Sequence, residues 1–126
     1  MPTFYYEDLS EKVIGLAYAV YNAKGWGYRE KFYEDLLEDK FIENKIKYVR
    51  QLTIRITEKN GKVRRRKIDF LIEDKMIIEL KVGKTLTNEN FTQTLEYLKI
   101  MDLRLGLLLL VTPNRKVIPR RVVNEK

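Results

Sequence analysis

The sequence predicts an α/β protein of the mixed α+β kind, in which helices flank a central mixed sheet in the order ααβββαβ. Before residue 44, apolar residues recur every three or four positions, which is typical of helices. After residue 44 the apolar period changes to two, which is typical of strands. The 126 residues are enough for one domain with one modest core, so residues 1–126 are predicted to form a single domain.

Two helices are predicted in the first third of the chain. The first covers residues 9–23, where apolar residues lie at helical spacing and Asp8 or Ser10 can cap the start. Residues 24–27 include two glycines, which permit positive φ and should end this helix. Apolar residues at helical spacing predict a second helix at about residues 28–43.

Three strands are predicted next. Alternating apolar residues between positions 48 and 56 predict the first strand, and the Asn60-Gly61 pair is favoured in the tight turn of a hairpin. The returning strand is predicted at residues 63–72, and the third at residues 76–82. The first two strands should therefore form a β-hairpin.

The last part of the chain predicts a helix between strands. Thr87 or Asn88 can cap a third helix that ends near residue 100 or 101. The nearly continuous apolar run at residues 104–112 is typical of a strand buried on both faces. A short edge strand is predicted at residues 117–123.

The residue types that are absent limit the chemistry available to this chain. It contains neither cysteine nor histidine, which excludes an ordinary zinc site, a cysteine nucleophile and a Ser-His-Asp triad. Any metal must then be held by oxygen ligands, which points to Mg²⁺ or Mn²⁺. The sequence shows no signal-peptide pattern and no apolar run long enough to span a bilayer, so a cytoplasmic location without a membrane partner is expected.

Positive charge is concentrated on the predicted hairpin. Residues 44–67 contain ten basic residues and one acidic residue, whereas the whole chain has a net charge of only +7. Phosphate backbones attract such clusters, because binding releases condensed counterions, and a nucleic-acid partner is therefore predicted. A solvated hairpin or the charge richness of a heat-adapted protein would explain the same pattern. The candidate phosphate contacts are Lys62, Arg64, Arg65, Arg66 and Lys67.

Three charged residues on neighbouring strands predict a catalytic site. Asp69 interrupts an apolar strand, and strict alternation would place it on the face opposite to Ile68 and Phe70. In the next strand, Glu79 and Lys81 are two residues apart and therefore share a face. Two adjacent antiparallel strands can thus present all three side chains to one spot.

A divalent cation would relieve the repulsion between the two carboxylates of this site. It could bind Asp69, Glu79, water and the backbone carbonyl of Leu80. Lys81 could orient or deprotonate the attacking water, or balance charge on a phosphate. A solvent-facing pair of Glu79 and Lys81, with Asp69 as a third surface charge, would explain the same spacing.

Two helical pairs could support this site. Glu30 and Tyr33 share one face of the second predicted helix, and Gln93 and Tyr97 lie one turn apart on the third. For both tyrosines, packing in the core is an equally good explanation. For Gln93 the alternative is a capping or surface amide.

Several of these residues occur along the chain in the same order as the motif residues of a known superfamily. They are Asp69, Glu79, Leu80, Lys81, Gln93 and Tyr97. Together with the order of helices and strands, they resemble the PD-(D/E)XK nuclease superfamily, whose core is restriction-endonuclease-like. More narrowly, the spacing Gly27-x-x-Glu30-x-x-Tyr33 ahead of these strands resembles the GxxExxY family. The similarity extends from about residue 9 to residue 122.

The resemblance implies roles for individual residues. Asp69 and Glu79 would be metal ligands, and Lys81 would be the catalytic lysine. Glu30 would complete the metal site or hold a metal-bound water. The implied cofactor is Mg²⁺ or Mn²⁺.

The third helix carries a further part of the resemblance. Gln93 and Tyr97 match the Q-x-x-x-Y motif of RecB-like nucleases, in which these residues support the site and contact DNA. The chain also departs from the family pattern. A histidine often precedes the glycines, where this chain has Tyr21 or Asn22, and Lys24 replaces a common leucine. These departures affect secondary contacts and leave the metal site intact.

The expected function is metal-dependent hydrolysis of phosphodiester bonds in a nucleic acid. DNA is expected as the substrate in preference to RNA. Phosphate contacts without base contacts predict little sequence specificity. One alternative is a structure-specific endonuclease similar to Holliday-junction resolvases, which a symmetric homodimer would favour. This chain lacks their usual Arg…Gly-Ser loop. The others are a non-catalytic nucleic-acid-binding module and an adaptor for an acidic protein.

Overall fold

The structure is a computed structural model, and it describes residues 5–114 and 116–125. A five-stranded mixed sheet lies between helices, which confirms the predicted fold class. The elements are α1 (Glu7–Lys24), α2 (Glu30–Glu43), β1 (Tyr48–Thr57), β2 (Val63–Ile72), β3 (Met76–Val82), α3 (Asn88–Met101), β4 (Leu105–Thr112) and β5 (Lys116–Val123).

The strands follow one another across the sheet in chain order, β1-β2-β3-β4-β5. Neighbouring strands are antiparallel except β3 and β4, which are parallel. A parallel pair needs a long crossover connection, and α3 provides it. The helix α3 packs on one face of the sheet, and α1 and α2 pack on the other.

The core is divided into two layers by the sheet. On the α1/α2 side, Ile78 and Leu107 pack against the two helices and are completely buried. On the α3 side, Ile77 and Leu108 are equally buried. Burying each such side chain contributes about 1.5–3 kcal/mol. Both central strands are therefore buried on both faces, as predicted for β4.

Of the capping residues predicted for the helices, one of those for α3 is confirmed and those for α1 are not. Thr87 caps α3 as predicted, with a capping box in which Asn90 N–H donates to Thr87 Oγ1 over 3.2 Å and Thr87 N–H donates to Asn90 Oδ1 over 2.9 Å. The predicted cap of α1 by Asp8 or Ser10 is wrong, because the helix begins earlier, after Tyr6. Ser10 instead donates to the backbone carbonyl of Glu7 within the helix. None of the helices in the described part of the chain has the length and apolarity needed to cross a bilayer.

The β1–β2 hairpin turns at the predicted Asn-Gly pair. Gly61 has φ 84°, a left-handed conformation that glycine adopts without strain. The Asn60 side chain accepts a hydrogen bond from Lys62 N–H at 3.0 Å. This turn sets the register in which β2 returns beside β1.

Candidate functional site

The candidate site lies where β2 and β3 separate. The ladder between them has only three registered pairs and ends at Phe70–Ile78. Beyond that point, side chains replace backbone partners: Asp69 N–H donates to Glu79 Oε2, and Leu80 N–H donates to Asp69 Oδ2, both over 2.8 Å. We call this opening, with its two carboxylates, the β2–β3 fork.

The strand alternation reverses at the fork. Phe70 packs in the α1/α2 layer, whereas Ile68 packs in the α3 layer, so the prediction that both lie on one face is wrong. Opposite Asp69, Gln51 of β1 has φ 55°, which is left-handed and costs a non-glycine residue about 1–2 kcal/mol. The pair Gln51–Asp69 is also missing from an otherwise continuous β1–β2 register. The backbone rotates at this point, and the rotation turns the next residues of both strands toward the other layer.

The two carboxylates at the fork are buried and close together. Glu79 is 4% exposed, and Asp69 is partly buried. Burial, together with the neighbouring charge of Asp69, raises the pKa of Glu79 to about 8. Burial also raises the pKa of Asp69, against the opposing effects of the Leu80 amide and the Lys81 ammonium. The pair is electrostatically unfavourable when both groups are charged, unless a cation is added.

The donor set of the fork fits a hard divalent cation. Each carboxylate uses one oxygen for a backbone amide, and the other oxygen, Asp69 Oδ1 or Glu79 Oε1, could bind a cation, although Asp69 Oδ1 also accepts a 3.5 Å hydrogen bond from Gln51 Nε2. Among the described residues, no group of three or more acidic side chains is gathered closely enough to hold a metal ion. Two carboxylates, a backbone carbonyl such as that of Leu80, and water or substrate oxygens suit Mg²⁺, which usually keeps several waters.

Sequence reasoning missed an acidic residue of α2 that the structure brings to the fork. Glu34 is 6% exposed, and its Oε1 accepts a hydrogen bond from Gln51 Nε2 at 2.8 Å. The same Nε2 lies 3.5 Å from Asp69 Oδ1. Burial and the charge of Asp69 raise the pKa of Glu34. Gln51 therefore connects the helix carboxylate to the strand carboxylate.

Glu30, the helix carboxylate that the motif indicates, lies one turn before Glu34 at the start of α2. It is partly buried, and its charge contributes to the raised pKa of Glu34. A signal for Glu34 was present in the sequence. It precedes Leu37 by three residues and Phe41 by seven, so it occupies the apolar face of the helix.

An arginine holds α2 against β1 beside this site. The side chain of Arg50 is 18% exposed, and its Nη1 lies 2.7 Å from Asp35 Oδ1 and 3.0 Å from Glu38 Oε1. Its Nε lies 3.5 Å from Glu34 Oε1. One cation thus faces three acidic residues of the helix, which directs Glu34 toward the sheet. This pairing also removes Arg50 from the cations available to a phosphate.

Tyr33, the tyrosine of the Gly-x-x-Glu-x-x-Tyr spacing, has a packing role. It is 1% exposed, and its hydroxyl donates to the carbonyl of Gly25 at 2.6 Å. Gly25 and Gly27 have φ 76° and 115°, so both glycines are needed where the chain turns between α1 and α2. The motif therefore fixes the loop from which α2 starts.

On the other side of the sheet, Tyr97 of α3 approaches the fork. Tyr97 is 2% exposed and packs in the α3 layer. Burial and the charge of Glu79 raise its pKa to about 12, so the phenol stays protonated. Gln93 lies one turn earlier on α3 and is partly buried. The structure thus brings Tyr97 near Glu79, within the core.

The basic hairpin is only partly free to contact a phosphate. Arg64 pairs with Glu58 of the hairpin and, over 3.5 Å, with Glu96 of α3. Arg66 is partly buried and lies opposite Ile54, a residue of the α3 layer. The remaining predicted contacts are exposed: Lys62, Arg65 and Lys67.

Comparison with known proteins agrees with the fold described above. A family model described as the PD-(D/E)XK nuclease superfamily matches residues 7–122. A crystal structure of the protein SSO0001 has the same fold, with a TM-score of 0.59 and 18% identity. The match covers 94% of this chain but 57% of SSO0001, so this chain spans little more than half of that protein.

The narrower resemblance to the GxxExxY family stays a prediction. None of the curated proteins compared with the chain matches it significantly. The superfamily match covers most of the chain and includes every element from α1 to β4. The chain therefore belongs to the PD-(D/E)XK nuclease superfamily.

Proposed function

We propose that this protein is a divalent-metal-dependent nuclease that hydrolyses phosphodiester bonds in DNA with little sequence specificity. Membership of the superfamily supports the nuclease activity. One observation carries the metal dependence: Asp69 and Glu79 form a buried acidic pair at the β2–β3 fork, each with a raised pKa. Such a pair is stabilised by a hard cation.

Asp69 and Glu79 would hold Mg²⁺ or Mn²⁺, together with the Leu80 carbonyl and water. Glu30 or Glu34 would add a carboxylate from α2. When bound, the ion supplies positive charge to a phosphate and lowers the pKa of water. The chain's own part is to keep both carboxylates oriented, which the hydrogen bonds to the Asp69 and Leu80 amides do.

Lys81 is the proposed catalytic lysine. It is partly buried, and its positive charge lowers the pKa of both carboxylates, which places it within electrostatic range of each. Its ammonium would balance charge on the scissile phosphate and hold the attacking water. Tyr97 would support Glu79 through packing, and Gln93 would contact the nucleic acid.

The exposed cations of the hairpin support a nucleic-acid substrate. Lys62, Arg65 and Lys67 lie on the strand, or next to the strand, that carries Asp69. If these cations contact phosphates and not base edges, weak sequence specificity and a strong dependence on salt are expected.

The direct test is a cleavage assay with labelled single-stranded, duplex and branched DNA and matching RNA, in Mg²⁺, Mn²⁺ or EDTA. We expect metal-dependent cleavage of DNA that falls about a hundredfold or more in Asp69→Asn and in Lys81→Ala. Asp74→Asn is the matched control, because Asp74 is an exposed acid in the turn between the same two strands.

The same assay contains the results that would overturn the proposal. Absence of cleavage on every substrate, with DNA binding that survives both substitutions, would assign the chain to the non-catalytic binding modules. Cleavage restricted to branched DNA by a homodimer would assign it to the structure-specific endonucleases instead. Cleavage in EDTA would contradict the metal dependence.

A further inference from the structure

A groove beside the proposed active site has no role in the chemistry described above. Its volume is about 180 Å³. We call it the side groove, and we define it by an apolar floor and a basic rim. The floor consists of Leu86, Phe91, Leu110 and Ile118, and the rim contains Lys84 and Arg120.

We propose that the side groove binds one unpaired nucleotide of the DNA strand, next to the phosphate that is cleaved. This inference rests on the proposed function, because it takes the substrate to be DNA. It adds the form of the substrate: a single strand, or a duplex end that frays at the site.

The strand register places the side groove next to Lys81. Lys81 of β3 pairs with Leu110 of β4, and Leu110 pairs with Ile118 of β5. Paired residues of neighbouring strands point to the same face, at steps of about 5 Å across the sheet. The floor of the groove therefore begins one strand from the proposed catalytic lysine, on the same face of the sheet. A strand held at Lys81 would pass its neighbouring nucleotide over this floor.

The chemistry of the groove suits a nucleotide. Phe91, Leu86 and Ile118 are only partly buried, so the floor can be reached from solvent. Lys84 and Arg120 are exposed at the rim. The ion pairs among the described residues use other cations, so no carboxylate there competes for these two. Apolar contact with a base, combined with cations on the backbone, is how proteins bind single strands without reading sequence.

A second cavity continues the path. It has a volume of about 280 Å³, shares Lys84 and Ile118 with the side groove, and extends to Pro113 and Asn114 at the end of β4. A bound strand could therefore leave the site along this side of the sheet. In a duplex the base faces are stacked and paired, so a duplex cannot seat a nucleotide in the groove between its floor and its rim. The apolar floor thus favours an unpaired nucleotide.

The test measures binding in EDTA, where metal-dependent cleavage does not interfere. A fluorescently labelled oligothymidine and a blunt duplex of equal length are titrated with protein, and anisotropy gives each Kd. We expect Lys84→Gln/Arg120→Gln to weaken single-strand binding about tenfold, and Phe91→Leu to weaken it several-fold. Duplex binding should change about twofold or less. The matched control is Lys12→Gln/Lys24→Gln, two exposed charges on α1, which covers the other face of the sheet.

Each outcome decides the inference. Equal losses of affinity for single strand and duplex would mean that the two cations are general phosphate contacts. Unchanged single-strand binding would show that the groove does not bind DNA. Either result overturns the proposal. If Phe91→Leu lowers the thermal stability, the exposed charge pair still decides the question.

The two proposals can fail separately. A chain that cuts no DNA but shows the selective single-strand loss would keep the groove and lose the nuclease function. A chain that cuts DNA but shows no such loss would keep the nuclease function and lose the groove.

Discussion

The two edges of β3 differ in what they contribute to the molecule. Toward β4, seven consecutive residue pairs are in register, and Ile77 of β3 and Leu108 of β4 are completely buried in the α3 layer. Toward β2, only three pairs form before the strands separate. We call the edge toward β4 the closed edge and the edge toward β2 the open edge. Apolar residues at the closed edge stabilise the fold, whereas the open edge holds the two carboxylates. The comparison indicates that this fold places its reactive groups where the backbone ladder stops.

The open edge has a specific reason to hold carboxylates. Where the ladder stops, the amides of Asp69 and Leu80 lose their backbone partners. The side chains of Glu79 and Asp69 accept these hydrogen bonds instead. A buried amide without a partner would cost about 1–3 kcal/mol. The same carboxylates that would bind a metal therefore also complete the sheet, so asparagine and glutamine are the appropriate replacements.

The largest effect on stability is expected at the closed edge. Leu108 is completely buried between β3 and α3. Leu108→Ala should lower the free energy of unfolding by about 2–5 kcal/mol, because it removes apolar contacts and leaves a cavity. Urea unfolding measures the change. A loss below about 1 kcal/mol would contradict the assignment of stability to this edge.

At the open edge, a substitution is expected to raise the free energy of unfolding instead of lowering it. Glu79→Gln keeps an acceptor for the Asp69 amide but removes a buried charge. In metal-free buffer at pH 9, this variant should be more stable than the wild type by about 1–4 kcal/mol, while cleavage falls about a hundredfold or more. Thermal unfolding in EDTA and the cleavage assay measure the two changes. A variant that is less stable than the wild type under these conditions would contradict the expected cost of the buried Glu79 charge.

The pH dependence of stability follows from the same pKa. The pKa of Glu79 rises from an ordinary 4.5 to about 8 in the folded chain, so the unfolded state loses its proton first. The metal-free protein should therefore be most stable at the acidic end of this window and lose stability as the pH rises to about 8. Glu79→Gln should lack most of this slope. A wild-type profile as flat as that of the variant would contradict the raised pKa.

The smallest effect is expected from the backbone opposite the fork. Gln51→Gly and Gln51→Ala both remove the amide that donates to Glu34, but only glycine adopts φ 55° without strain. The glycine variant should therefore be more stable than the alanine variant by about 1 kcal/mol. Chemical unfolding of the two variants measures the difference. Equal stability would show that the rotation at Gln51 stores no strain.

The elements of the fold could be predicted from local signals. The Asn60-Gly61 turn and the change of apolar period place β2 and β3 at the residues where the structure has them. The cap at Thr87 places the start of α3 in the same way. These signals act within a few residues of one another, so the sequence displays them directly.

The details of the site could be predicted only in part. Asp69 and Glu79 do come together, because strand neighbours are set by a short turn. The position of Glu34 on the apolar face of α2 is visible in the sequence, but Glu34 reaches the fork only because Arg50 and Gln51 of β1 lie beside α2, and this packing has no local signal. The reversal of alternation at Asp69 has no local signal either, since it depends on a backbone rotation shared by two strands.

The central claim, that the open edge of β3 is a divalent-metal site, is tested most directly by calorimetric titration of Mn²⁺ at pH 7. Repeating the titration in two buffers of different ionisation enthalpy also counts the protons released. We predict saturable binding with release of most of one proton, because a group of pKa about 8 must be deprotonated by the metal. Both effects should be absent in Asp69→Asn/Glu79→Gln. Binding by the wild type that is no tighter than by this double variant, without proton release, would contradict the account.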